Sequence, residues 1–179
     1  MTIPRPVLAL MARRHGLITR GQLLARGCSV SDIDNWVHRG RLEALHRGVY
    51  RLAGAAVSPE QALLAAVLRA GTEARLAGEQ ALALYGIEGA LLSGTPTVLV
   101  PPSRAVAGAE FVVRRSAVPA ADRASVRGVP ALRVERAVLE VARTAGDRRV
   151  RQAVDSARWL GLLRIERLTR RAERLGRHP

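Results

Sequence analysis

The apolar positions of the chain change period several times, and each change marks a predicted element. Pro4 and Pro6 stand at a helix start, and Val7, Leu8, Leu10 and Met11 form a helical stripe that ends at Gly16. Leu17 and Ile18 make a short extended piece. Thr19 is placed to cap a second helix over Arg20 to Arg26, with Leu23 and Leu24 facing inward and Gly27 closing it. Cys28, Ser29 and Val30 then make a tight turn, and Ser31 is expected to cap a third helix that runs to Arg39. After Gly40 the period shortens. Arg41 to Leu45 reads as a strand, His46-Arg47-Gly48 as a turn, and Val49 to Leu52 as the returning strand. Helix, strand, helix, turn, helix and hairpin, in that order, describe a winged helix-turn-helix.

Small residues from Gly54 to Val57 read as a linker, which divides the chain into domains at 1–54 and 58–179. Ser58-Pro59-Glu60 signals the start of a helix running to Ala70, with Leu63, Leu64, Val67 and Leu68 inward. A second helix covers Glu79 to Tyr85. Thr97 to Val100 and Glu110 to Arg115 are β-rich, and Ala124 to Leu132 suggests a hairpin. Beyond the Val134–Ala142 helix, Val150, Ala153, Val154, Ala157 and Leu160 make one stripe, and Ile165, Leu168, Ala172 and Leu175 another. The fold class is therefore α+β: a winged helix-turn-helix, then a mixed α/β second domain ending in basic amphipathic helices. In the last helix the arginines between 164 and 174 crowd the face opposite the stripe, either as a solvated surface or as a binding one.

Charge narrows the choice of partner. The net charge is +14, and all 29 basic residues are arginine. Residues 1–56 hold 9 arginines against 3 acids, residues 57–130 hold 7 against 6, and residues 131–179 hold 13 against 6. A basic head and a basic tail thus flank a near-neutral middle, which makes a polyanion the first partner to consider. The lack of lysine excludes Schiff-base chemistry and the lysine of a phosphate-binding loop. Cys28 is the single cysteine, so no intrachain disulfide forms and a reducing cytoplasmic location is expected. No apolar run approaches the ~18 residues of a membrane span.

The sequence carries no recognisable catalytic constellation. His15, His38, His46 and His178 are scattered, although His38 and His46 fall on either side of the wing, and no third or fourth metal ligand accompanies them. Glu135 and Glu140 are five apart and do not share a helix face. No Gly-x-Ser-x-Gly elbow is present. The expectation is a protein with no cofactor, no metal and no enzymatic activity.

Ser31, Asp34, Asn35 and His38 follow one another at helical spacing on the face opposite Ile33, Trp36 and Val37. That face would enter the major groove, where Asn35 can pair bidentately with adenine and Ser31 or His38 can reach base edges or phosphate. Arg39 and Arg41 flank the helix end, and Arg47 sits at the hairpin tip. With Arg20 and His46 these residues make up the candidate DNA-contacting set. Asp32 and Asp34 bring negative charge to the same helix, where carboxylates repel phosphate.

The stretch from His15 to Leu52, above all GRLEALHRGVY from Gly40 to Tyr50, resembles the N-terminal domain of AbiE-type antitoxins of type IV toxin–antitoxin systems. A looser similarity runs through Ser58 to Gly86 and from Val126 through the Val134–Ala142 helix. The resemblance implies a transcriptional autoregulator. Its head would bind double-stranded DNA in its own promoter region as a repressor, and its second domain would counter a nucleotidyltransferase-like toxin without necessarily forming a stable complex. Many relatives continue into a nuclease-like domain, which this chain is expected to lack. Two other readings stand beside this one: a protein-interaction module docking through the acidic helix face, and a non-catalytic remnant of a nuclease-bearing relative.

Overall fold

A computed structural model describes residues 2–106 and 110–176; His178 lies outside them. The head begins with α1 (Arg5–Ala12), entered through extended Pro4 and burying Val7 and Met11. Three-residue β1 (Leu17–Thr19) leads into α2 (Arg20–Leu24). Thr19 caps α2 reciprocally: its hydroxyl accepts from the Gln22 amide, and the Gln22 side chain accepts from the Thr19 amide. The third helix, α3 (Val30–His38), is capped by Ser29 and not by Ser31. Asp32 completes the cap. It sits three residues after Ser29, and its carboxylate accepts the Ser29 amide at 2.9 Å while the Ser29 hydroxyl accepts the Asp32 amide at 3.1 Å. Leu24 departs from expectation as well, being 43 % exposed on a helix too short to bury a second leucine.

β2 (Leu42–His46) and β3 (Val49–Leu52) form the hairpin, with β3 central in an antiparallel sheet of order β1-β3-β2. Gly48 has a φ of 76°, the left-handed conformation that closes a two-residue turn at little cost only for glycine. Met11, Ile18, Leu23, Ile33, Trp36 and Leu42 fill the core between the three helices and this sheet.

The second unit starts at α4 (Pro59–Ala70), whose cap Ser58 accepts from the Gln61 amide. Then follow β4 (Arg75–Ala77), α5 (Gly78–Leu84), β5 (Thr97–Val100), β6 (Val112–Arg115), β7 (Arg123–Val126) and β8 (Val129–Leu132). The five strands make a mixed sheet of order β6-β5-β4-β8-β7. β4, which the apolar pattern does not reveal, is its middle strand. Three helices close the chain: α6 (Val134–Ala142), α7 (Asp147–Trp159) and α8 (Ile165–Gly176). α7 buries only Ala153 and Ala157, and α8 buries no residue fully.

Leu168 packs α8 on the core, and an ionic contact joins it there. Asp122 and the buried α6 residues Arg136 and Glu140 form a chain of ion pairs at 4.0 and 2.7 Å. Arg114 joins Glu140 at 3.3 Å from β6, and Arg171 of α8 pairs with Asp122. Removing one member of such a buried set would leave the others uncompensated, at a cost of about 3–5 kcal/mol.

Head and second unit pack directly on each other. Leu17 and Val49 of the head belong to the larger core, alongside Leu63, Leu64 and Val67 of α4. Gln61 is 2 % exposed; its amide nitrogen donates to the carbonyls of His15 at 2.6 Å and Ala56 at 3.1 Å. A side chain on Gly16 would place its Cβ 2.5 Å from that of Ala55, so glycine is required where the two units meet. The turn between β7 and β8 touches the head too: the carbonyl of Arg127 lies 2.7 Å from His15 Nε2, and the Arg127 guanidinium pairs with Glu60 at 3.3 Å.

Candidate nucleic-acid interface

The polar face of α3 is built by the burial of its other face. Ile33 and Trp36 are buried beneath α1 and α2, which turns Ser31, Asp34 and His38 outward to solvent and leaves Asn35 half-buried beside them. The side chains of Ser31, Asn35 and His38 have no protein partner among the described residues, so their donors and acceptors are available to a ligand. Arg39 is the C-cap residue, where its backbone amide donates to Asn35 and Val37 and its guanidinium is exposed. Arg41 and Arg47 are exposed at opposite ends of β2, Arg41 just before it and Arg47 in the turn after it.

Arg20 ties this surface together. Its amide donates to the Gly48 carbonyl in the wing turn at 2.9 Å. Its guanidinium reaches the Tyr50 hydroxyl of β3 at 3.4 Å and the Asp34 carboxylate of α3 at 3.7 Å. The Tyr50 hydrogen bond, against a smaller opposing effect of burial and with the charges of Tyr50 and lastly Asp34 added, raises the Arg20 guanidinium above its ordinary value. α2, α3 and the wing therefore meet at one cation.

The two aspartates take different structural roles. Asp32 belongs to the cap of α3, where a carboxylate also suits the positive end of the helix. Asp34 lies within ion-pair distance of Arg20, which offsets its charge on the exposed face. Sequence spacing names these acids but gives no sign of either partner, because Arg20 comes from a different helix and the cap depends on the backbone turn at Ser29.

His46 lies apart from the rest of the candidate set. Its ring is only 15 % exposed, a bulge interrupts the strand register between Ala44 and His46, and Nδ1 sits 3.7 Å from the Glu110 carboxylate of the second unit. The histidine therefore turns toward the body of the molecule. Cys28 is buried at the foot of α3, and burial pushes its thiol up from the ordinary value, which suits a packing role. Among the described residues no group of three or more histidine, cysteine or carboxylate side chains is placed to hold a metal, and no helix is long and apolar enough to cross a membrane.

This arrangement defines a winged helix-turn-helix head. Residues 5–53 match the family described as "Transcriptional regulator, AbiEi antitoxin". Among solved structures, the RV2827C protein from Mycobacterium tuberculosis is similar across 94 % of this chain and 71 % of its own, at 24 % identity and a TM-score of 0.53. That likeness concerns the fold. No curated protein matches the chain.

Proposed function

We propose that the chain is a DNA-binding transcriptional autoregulator and antitoxin, with a DNA-binding domain at 1–54 and an antitoxin-like domain at 58–179. The observation that carries this reading is the free polar face of α3 between two exposed arginine positions, Arg39 and Arg47, within the segment that matches the regulator family. Asn35 is the base-reading residue, with Ser31 and His38 beside it; Arg39, Arg41 and Arg47 bind phosphates. Arg20 and Asp34 position the wing against the helix. Chemistry of this kind needs no cofactor and no catalytic group. The protein represses its own operon from the cytoplasm, and its second domain counters a nucleotidyltransferase-like toxin.

A mobility-shift assay on the DNA upstream of its own reading frame tests the first half. Binding is expected at low salt and weakens steeply as salt rises, because released counterions drive association. An absence of binding at low salt overturns the regulator reading and leaves the protein-interaction alternative. Co-expression with a neighbouring nucleotidyltransferase-like protein tests the second half: growth is restored by the full chain, and failure to restore it removes the antitoxin role.

A further inference from the structure

The second unit holds a concave site that DNA binding by the head leaves unused. A cleft of about 460 Å³ opens between α8 and the start of α6. Arg133 enters it from the residue before α6, and Arg167, Arg170, Arg171 and Arg174 enter it from α8. Their spacing of three, four and seven residues from Arg167 puts all four on one helical face.

Little on the protein answers this charge. Two acids border the cleft, Asp122 and Glu135. Asp122 is already shared between Arg136 and Arg171. The side chains of Arg133, Arg167 and Arg174 have no partner among the described residues, and Arg170 donates only to the Glu166 carbonyl of its own helix, at 3.1 Å. Burial, and after it the nearby charge of Arg174, pushes Arg171 below its ordinary value, as expected where cations crowd one another. Exposure alone does not set these arginines apart, since Arg148, Arg151 and Arg158 of α7 are exposed as well. Those of α8 converge with Arg133 on a hollow.

The cleft also lies at the opposite end of the β7–β8 hairpin from its contact with the head. The β7–β8 hairpin touches the head at its turn, through Arg127 and Gly128. Asp122 and Arg133 lie at its open end, four strand residues away, or about 13 Å at ~3.3 Å per residue. Several guanidinium forks around one hollow match a ligand with many oxygens and several charges, because each fork can hold two phosphate oxygens at once. A lone carboxylate would leave most of them unanswered.

We propose that this cleft binds clustered phosphate groups, carried either by a free oligophosphate-bearing small molecule or by a nucleic-acid backbone. Calorimetric titration of the full chain with inorganic tripolyphosphate at low salt is the test. One equivalent is expected to bind, with sulfate at least tenfold weaker. The double variant R167Q/R174Q is expected to bind at least tenfold more weakly, whereas R151Q/R158Q on α7, with the same loss of charge, binds as the parent does. All four positions are exposed, and unchanged thermal melts verify that both variants fold. A duplex of unrelated sequence identifies the source: displacement of tripolyphosphate assigns the cleft to a nucleic-acid backbone, and no displacement assigns it to a free ligand. No binding of tripolyphosphate, or equal losses in the two double variants, overturns the site. The proposal stands apart from the winged head, so R47A is expected to keep tripolyphosphate binding whatever happens to its DNA binding.

Discussion

A side-chain amide and a guanidinium at a DNA surface fail in different ways when truncated. Asn35 is the one residue of the α3 face suited to bidentate reading of adenine. Asn35→Ala is therefore expected to cost about 1–3 kcal/mol on the preferred sequence and little elsewhere. Arg39→Ala and Arg47→Ala should weaken binding to every duplex and make the dependence on log salt shallower by about 0.9 each. Titrations of specific and scrambled duplexes at several salt concentrations distinguish the two patterns; equal losses from all three variants on every sequence would refute the assignment. Glu60 supplies a pH test. A hydrogen bond from its backbone amide, reinforced by Arg127, holds its carboxyl below the ordinary value of 4.5. A group depressed in the folded state adds stability above its unfolded value and loses that contribution as pH falls through its folded value. Glu60→Gln should thus narrow the stability difference between neutral and strongly acid solution, as read by denaturant melts at pH 7 and pH 3.

Among the elements, those announced by local chemistry are the ones the sequence makes readable. The Thr19 cap, the Ser58-Pro59 start and the Arg47-Gly48 turn each act within a few residues, and α2, α4 and the wing lie where those signals put them. Strand β4 escaped because its register comes from distant partners: it pairs antiparallel with β5 and parallel with β8, and three residues are too few to show alternation. The start of α3 lies two residues before the position that Ser31 suggests, because serine stands at both 29 and 31, each with an aspartate three positions on, and only the folded turn commits Asp32 to the cap while Asp34 faces Arg20. That correction is testable. Ser29→Ala should cost about 1 kcal/mol through loss of the cap, while Ser31→Ala stays near zero. Trp36→Ala, which empties the middle of the head, should cost about 3–5 kcal/mol. A thermal melt in which the two serine variants shift equally would restore Ser31 as the cap.

For the molecule as a whole, spacing revealed a basic head and tail but not how they are arranged. The residues between 54 and 57 read as a linker, yet a buried glutamine, a forbidden Cβ at Gly16 and a shared apolar core press the two units together. Gln61→Leu keeps the volume but removes the donor to the His15 and Ala56 carbonyls, each costly to leave unmet. The expected loss is about 1–3 kcal/mol per stranded group, and denaturation should separate into two transitions followed by Trp36 in the head and Trp159 in the second unit. A single unbroken transition would show that the remaining contacts couple the units without this amide. The Asp122–Arg136–Glu140 chain is legible only in part: Arg136 and Glu140 stand four apart on α6, whereas Asp122 precedes β7 and only folding brings it to them.

The bond from the Arg20 amide to the Gly48 carbonyl has a consequence for how fast and how tightly the head engages its target. A wing that swings freely must be immobilised in each encounter, and the disorder it gives up is subtracted from the affinity. Here the tip is seated before any duplex arrives. The Arg20 amide proton should exchange as slowly as those of the core. Association should then be limited by diffusion and orientation, with no added delay for a loop to find its place.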